Sequence, residues 1–317
     1  SGVRMDLICR IYNDGVGFRF KVPEQQGISN KLVDFAVAYN AASDFSAYCT
    51  AGESEPIGPV PLSQLARETP KLPVLLNAGK GAFLGLLESD LYTAVNFPNA
   101  AALSIDSGVA QSTSTGRMTE KGMITPWRVV LLGGQPGRLL VSTTPINLAA
   151  ECKIEDTSWI KAGKCLWDWR VHGYKAGEFT YGINTASYKR FIDFAASNGI
   201  QYFLIDDTWF EKVMNGKLII KPEVDIKHII EYARTQGVGI ILYYDRKKGR
   251  SLGDEALFKL YSELGAAGIK YGFMGAHAQF TRKAVEQSAR NELLVDFHDS
   301  PCPMTGISRT LPNAVTR

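Results

Sequence analysis

The sequence has few histidines and lacks the cysteine and histidine spacings that bind transition metals. Only four histidines occur among 317 residues, and none stands in an HExxH or similar zinc motif. The five cysteines are spread singly without a CxxC pair, and an odd number cannot form a complete set of disulfides. We therefore expect buried free thiols and no transition-metal site.

Long apolar runs and a strong excess of one charge are also missing. No segment approaches the roughly 20 apolar residues of a membrane span, and the formal net charge of +3 comes from scattered Lys and Arg residues. We expect neither a membrane span nor a nucleic-acid partner. The first residues, 1–4, resemble neither a signal peptide nor an initiator region, so we expect the chain to begin inside a larger protein. The oligomeric state is not predicted.

Residues 1–150 show the pattern of an antiparallel β-sandwich, which we expect to be truncated at its start. Short apolar runs alternate with Gly, Pro and polar turns, and no long stretch has the 3.6-residue period of a helix. The runs that predict strands are 5–12, 17–22, 82–87, 127–132 and 139–141.

Residues 151–317 show the alternation of strands and amphipathic helices that is typical of a parallel α/β fold. Glycines follow two of the helices, in Asn198-Gly199 and Gln236-Gly237, as C-caps do. We predict the first five strands of a (β/α)8 TIM-type barrel, in a chain that is incomplete at both ends. The predicted strands are 165–171, 202–205, 240–244, 269–273 and 293–297.

Carboxylates and aromatic residues collect at the ends of four of these strands, where parallel α/β folds place their functional groups. Aromatic faces stack on sugar rings and paired acids cleave glycosidic bonds, so the pattern suits carbohydrate. Acidic residues also cap helices and pair with Lys or Arg, and a metal-dependent aldolase or a deacetylase could present a similar rim. The residues are Trp167, Asp168, Trp169, Asp206, Asp207, Trp209, Tyr243, Tyr244, Asp245, Asp296 and Asp299.

Five blocks resemble glycoside hydrolase family 97, in the family's order and over most of the chain. This resemblance implies an exo-acting α-glucosidase or α-galactosidase that binds Ca²⁺ and oligosaccharides and is periplasmic or secreted. The blocks are ESDLYTAVNFP (88–98), TPWRVVLLG (125–133), CKIEDTSWIKAGKCLWDW (152–169), YKRFIDFAASNGIQYFLIDDTW (188–209) and FHDSPCPMTGISRTLPNAVTR (297–317).

The resemblance also implies roles for single residues. Asp245 and Asp299 match the two catalytic bases of inverting members, although each is Asp where those members have Glu. Glu88 and Asp299 match calcium ligands, and Gly272 occupies the position of the aspartate nucleophile of retaining members, so an inverting mechanism is expected. The residues expected at the substrate are Trp167, Asp168, Asp206, Asp207, Trp209 and His298.

The general acid of the family lies a few residues beyond the NAVTR block. We therefore expect this chain by itself to be inactive. An alternative is a catalytically silent carbohydrate-binding relative, because Gly272 and the two Asp-for-Glu changes remove groups that the reaction uses.

Overall fold

The computed structural model describes residues 2–28, 30–50, 55–67, 70–298 and 304–315. These residues form two compact units. Unit 1 contains the described residues within 1–152, 276–279 and 302–310. Unit 2 contains those within 153–275, 280–301 and 311–317. Two segments that follow barrel strands in the sequence are therefore part of unit 1.

Unit 1 consists mainly of antiparallel strands. Its strands are β1 (Asp6–Tyr12), β2 (Gly15–Val22), β3 (Lys31–Asn40), β4 (Ser46–Thr50), β5 (Ile57–Pro61), β6 (Lys71–Gly79), β7 (Ala82–Ser89), β8 (Ala102–Asp106), β9 (Val109–Met118), β10 (Met123–Ile124) and β11 (Trp127–Gly133). Its short helices are the 3-10 helix Leu62–Arg67, α1 (Pro136–Leu140) and α2 (Thr144–Leu148).

The strands of unit 1 form two sheets that share a core. The larger sheet has the order β1-β2-β11-β7-β6-β4-β5, with β10 paired to β2, and the smaller sheet has the order β3-β9-β8. Val74 and Leu86 of the larger sheet pack with Ile105 and Ala110 of the smaller one. Because two antiparallel sheets bury one face each against the other, the predicted sandwich is confirmed.

The structure corrects one predicted strand, 139–141. Pro136 stands at the start of α1, where its fixed φ angle favours a helix and its missing N–H is not needed. Leu139 packs against the cluster formed by Trp127, Val129, Leu131 and Leu148, whereas Leu140 and Val141 are exposed. The apolar run was therefore a helical turn rather than a strand.

No disulfide joins the four described cysteines, Cys9, Cys49, Cys152 and Cys165, to one another. The predicted burial is right only for Cys49, because Cys9, Cys152 and Cys165 are exposed. Cys302 lies outside the described residues.

Unit 2 combines a parallel sheet with helices and two hairpins. Its strands are β12 (Cys165–Trp167), β13 (Lys175–Ala176), β14 (Phe179–Thr180), β15 (Tyr202–Ile205), β16 (Phe210–Met214), β17 (Lys217–Ile220), β18 (Gly239–Asp245), β19 (Gly268–Gly272) and β20 (Leu294–Phe297). The helices that follow in chain order are α3 (Thr185–Ser197), α4 (Ile226–Thr235), α5 (Arg246–Gly249), α6 (Asp254–Leu264), α7 (Ala278–Arg290) and α8 (Ile307–Thr310), of which α8 lies in unit 1.

The five strands predicted for the barrel form one parallel sheet with the order β12-β15-β18-β19-β20, although the first, predicted as 165–171, ends at Trp167. One face of this sheet packs on the helices: Phe203 contacts Phe191 of α3, and Tyr271 contacts Phe258 of α6. The glycines predicted as C-caps, Gly199 and Gly237, have positive φ angles of 61° and 72°. Among the described residues, no helix has the length and hydropathy that crossing a membrane requires.

Candidate active site

The face of the sheet opposite the helices carries the polar residues predicted for the site. The register of the parallel strands places Tyr243 beside Lys270 and Asp245 beside Gly272. Side chains two residues apart on a strand point to the same face. Lys270 and position 272 therefore share this face at the carboxyl end of β19, which is the end that carries active sites in barrel enzymes.

Asp206, directly after β15, lies at the centre of a buried ionic cluster. Its Oδ2 is 2.6 Å from Nζ of Lys270, and the indole N–H of Trp167 donates to the same oxygen. Nζ of Lys270 also lies 4.6 Å from the centre of the Trp167 ring and 5.3 Å from that of Tyr243. The side chains of Asp206 and Lys270 are 5% and 1% exposed. The carboxylate and the ammonium therefore compensate each other's loss of hydration.

Asp168 supports this cluster from the neighbouring strand. Its Oδ1 accepts a hydrogen bond of 2.9 Å from the backbone N–H of Asp206, and its Oδ2 lies 3.1 Å from Nε2 of His172. The carboxylate is completely buried. We therefore assign Asp168 to the positioning of Asp206, which corrects the predicted contact with substrate.

Trp209 also differs from its predicted role. Its side chain is completely buried, its indole N–H donates to the carbonyl of Tyr243 at 2.8 Å, and its ring contacts Phe210 and Tyr261. A sugar cannot reach a ring that has no exposed surface. Trp209 is a core residue in this structure, which corrects its assignment to the substrate.

Asp207 and Asp245 are linked through one lysine of α5. Oδ1 of Asp207 lies 3.2 Å from Nζ of Lys248 and accepts the N–H of Thr208 at 2.6 Å. Oδ1 of Asp245 accepts the backbone N–H of Lys248 at 2.8 Å, so Asp245 is the N-cap of α5. Among the described residues, none donates a hydrogen bond to Oδ2 of Asp245. The bond to Oδ1 thus orients the carboxylate, and Oδ2 is available to accept a hydrogen bond from another group.

The capping role of Asp245 leads to a test that separates it from the predicted role as a base. We expect Asp245→Ala to lower the free energy of unfolding by about 1 kcal/mol and Asp245→Asn by only a few tenths, because Asn caps as well as Asp. Denaturant unfolding would measure both. Asp225, which caps α4 through a 3.1 Å bond from the N–H of His228, provides the matched control pair D225A and D225N. Equal losses for D245A and D245N would contradict the cap.

The fourth strand ends without a carboxylate, and the space beside Gly272 is filled. A Cβ atom added to Gly272 would overlap the hydroxyl of Tyr243 and lie 2.5 Å from its Cζ. The next residue, Phe273, has a positive φ of 52° and begins the turn away from the sheet. The described site therefore has a phenol where the resemblance places a nucleophile.

His298 directly follows the last strand, and its backbone N–H donates to the carbonyl of Tyr271 at 2.8 Å. Its contact with a sugar stays a prediction, as do those of Trp167 and Asp207, which are partly exposed. To bind a sugar, Asp206 would have to give up one of its bonds to Lys270 or Trp167. Asp299, predicted as a base and a metal ligand, lies outside the described residues.

Glu88 of unit 1 does not fit a calcium ligand. Its Oε2 lies 2.8 Å from Nη1 of Arg128 and accepts the N–H of Ala101 at 3.2 Å and the hydroxyl of Ser114 at 3.4 Å. Both ionic side chains are buried, and burial raises the pKa of Glu88 even though Arg128 acts to lower it. A second cation beside Arg128 would be repelled. No cluster of three potential metal ligands occurs among the described residues.

Two family models match almost the whole chain. The glycosyl-hydrolase 97 N-terminal model matches residues 1–150, and the glycoside hydrolase 97 model matches residues 167–317. The chain belongs to glycoside hydrolase family 97. The resemblance seen in the five sequence blocks is thereby confirmed. An antiparallel β unit followed by part of a barrel is the fold that this membership predicts.

Relatives of this family 97 chain are about twice its length. It is 27% identical to a retaining alpha-galactosidase of Bacteroides thetaiotaomicron, over 96% of this chain and 52% of the relative. It is 28% identical to a probable retaining alpha-galactosidase of Streptomyces bingchenggensis, over 100% of this chain and 50% of the relative. The chain thus spans about half the length of the curated relatives it matches.

A solved family 97 structure has the same fold. The enzyme of Pseudoalteromonas sp. strain K8 in complex with acarbose superimposes with a TM-score of 0.76 at 23% identity. The alignment covers 96% of this chain and 53% of that enzyme. At this level of identity the similarity shows the fold alone.

Two residues of this family 97 chain were missed as candidates, Lys270 and Arg128, and Tyr243 was named only among the strand-end residues without its relation to Gly272. Lys270 had a recognisable signal, because a lysine inside an otherwise apolar strand, GIKYG, needs a buried partner. Arg128 gave no such signal, and neither did the contact of Tyr243 with Gly272, since Glu88 and Gly272 become neighbours of these residues only through strand pairing.

Proposed function

We propose that the protein is an α-glycosidase that removes terminal α-linked galactose or glucose from oligosaccharides. Family membership supports the reaction class, and the names of the curated relatives favour galactose. The strand-end residues Asp207, Asp245 and Trp167 supply the acidic and aromatic groups that sugar recognition uses. A periplasmic or secreted location belongs to the proposal through the resemblance alone.

For the mechanism we propose direct attack by water with inversion of configuration. The observation that supports this mechanism is Gly272, with the Tyr243 phenol in the space beside it. A glycine has no side chain that could form a glycosyl-enzyme bond. Both curated relatives are named as retaining enzymes, and this proposal departs from them on that ground. Asp245 is the assigned base: Lys248 orients one oxygen, and the other accepts the proton of the attacking water.

Neither calcium nor the general acid is assigned to a described residue. Glu88 is paired with Arg128 rather than free to bind a cation. We include Asp299 as the second base, and only the resemblance to family 97 supports this role. The chemistry assigned to the described residues is therefore limited to orientation of water and removal of its proton by Asp245.

The anomeric configuration of the first product tests the mechanism. We expect the complete protein to release β-galactose from a nitrophenyl α-galactoside, seen by NMR before mutarotation mixes the anomers. D245N should remain folded but lose hydrolytic activity, whereas D225N should keep both its fold and its hydrolytic activity. Release of the α-anomer would reject inversion, and an active D245N would reject Asp245 as the base.

A second candidate, a catalytically silent sugar-binding relative, is favoured by the Tyr243 phenol beside Gly272 and by the buried cluster around Asp206. Calorimetry with galactose and glucose distinguishes the two. Binding of sugar by the complete protein without release of product from any α-galactoside or α-glucoside would support the silent relative.

A further inference from the structure

Position 272 cannot accept any side chain while Tyr243 keeps its place. A Cβ there would overlap the Tyr243 hydroxyl and lie 2.5 Å from Cζ and 2.7 Å from Cε2. Real Cβ atoms essentially never approach another heavy atom this closely, so the ring would have to move. Removal of the hydroxyl alone would not suffice, because Cζ and Cε2 belong to the ring.

Several contacts hold Tyr243 in this position. Tyr243 is 3% exposed, and the ammonium of Lys270 lies 5.3 Å from the centre of its ring. The backbone carbonyl of Tyr243 accepts hydrogen bonds from the Trp209 indole at 2.8 Å and from the Tyr261 hydroxyl at 3.2 Å, which hold the main chain that carries the ring. A closely packed interior resists displacement of so large a side chain. The fixed ring therefore determines what can stand at position 272.

We propose that Tyr243 and Gly272 are a compensating pair, in which the phenol occupies the volume of the missing nucleophile and so excludes covalent catalysis from this site. The catalytic half of this inference rests on the proposed function, whereas the steric half concerns the fold alone. Tyr243 is then the residue that determines the mechanism. A carboxylate at position 272 becomes possible only when Tyr243 is shortened.

A double-mutant cycle on stability tests the steric part without any activity measurement. We expect G272A to raise the equilibrium constant for unfolding by roughly tenfold to hundredfold in the native background, as overpacking does. In the Y243A background the same change should have less than about a threefold effect, whereas Y243F should give no relief. Equal effects of G272A in both backgrounds would overturn the proposal.

Gly249 and Tyr244 provide a matched control pair in the same unit. A Cβ at Gly249 would overlap the Tyr244 hydroxyl in the same way. We expect Y244A to reduce the loss of stability that G249A causes. Y243A should leave that loss unchanged. Relief of G272A by Y244A as well would show general loosening of unit 2 instead of a specific pair, and would also overturn the proposal.

A chemical trap tests the mechanistic part. In the variant Y243A/G272D, the introduced carboxylate oxygen should bond to the anomeric carbon of a ring-fluorinated α-galactosyl fluoride as the C–F bond breaks and fluoride leaves. Fluoride departs without a proton donor, so this trap does not need the general acid. We expect a covalent adduct on the peptide that contains position 272, found by mass spectrometry, and none for Y243A or G272D alone.

The possible outcomes keep the two proposals apart. A folded Y243A/G272D protein that binds galactose without forming an adduct would overturn the mechanistic part of the inference. A protein that never binds or cleaves α-galactosides would instead defeat the proposed function. In that case the stability cycle would still decide whether the residues compensate each other.

Discussion

Replacement of Arg128 by methionine is expected to lower the free energy of unfolding of unit 1 by about 3–5 kcal/mol. Arg128 and Glu88 are adjacent on β11 and β7, and both are buried. Methionine fills much of the volume but leaves the Glu88 carboxylate without its cation. Hydrogen exchange followed by mass spectrometry on peptides from β7 and β11 would measure the loss within unit 1.

The pH dependence of this loss has a definite sign. Burial raises the pKa of Glu88 above its ordinary value of 4.5, and Arg128 opposes that rise. A carboxyl group whose pKa is higher in the folded state stabilises the fold most below its unfolded pKa and least above its folded pKa. Loss of Arg128 raises the pKa of Glu88 further. The R128M loss should therefore be larger near neutral pH than near pH 4.5.

Two controls distinguish a buried charge from a general defect. E88Q/R128M should recover part of the stability, because it removes the uncompensated charge. R117M changes an arginine whose Nη1 lies 2.9 Å from Oδ1 of Asn30 at an exposed place on β9. It should cost less than about 0.5 kcal/mol. An R128M protein as stable as R117M would contradict the buried pair.

The barrel strands were predictable because their signals are local. Each run of apolar residues is bounded by an amphipathic helix or a turn, and a glycine such as Gly199 marks where a helix ends. In unit 1 the same reasoning missed β9, whose sequence VAQSTSTGRM is largely polar. Ser112 and Ser114 point into the sandwich and are buried. Their burial depends on partners such as Tyr39 and Arg128, which lie far away in the sequence.

The location of the site was predictable, but the roles of its residues were not. Asp206 and Asp207 are neighbours in sequence, yet one is buried against Lys270 and the other reaches the partly exposed Lys248. Which side chain turns inward depends on the register of the sheet, which a single sequence does not reveal. Trp209 illustrates the same point, because an aromatic residue at a strand end can face the core.

Replacement of Lys270 by methionine is expected to destabilise unit 2 by about 3–5 kcal/mol, because it leaves the buried Asp206 carboxylate without a counter-ion. The Trp167 indole and the N–H of Asp207, 2.7 Å from Oδ1, would remain as neutral donors that cannot balance the charge. Hydrogen exchange of peptides from β15 and β19 would measure the loss.

The controls for Lys270 follow from the charge that its removal leaves behind. K270M/D206N should regain much of the lost stability, since the double variant has no unbalanced charge at the cluster. K259M, at an exposed lysine 3.8 Å from Glu263, should change stability by less than about 0.5 kcal/mol. If K270M is no less stable than K259M, the Asp206–Lys270 pair does not organise the carboxyl ends of these strands. Asp206 would then be as free to bind a sugar as the sequence first predicted.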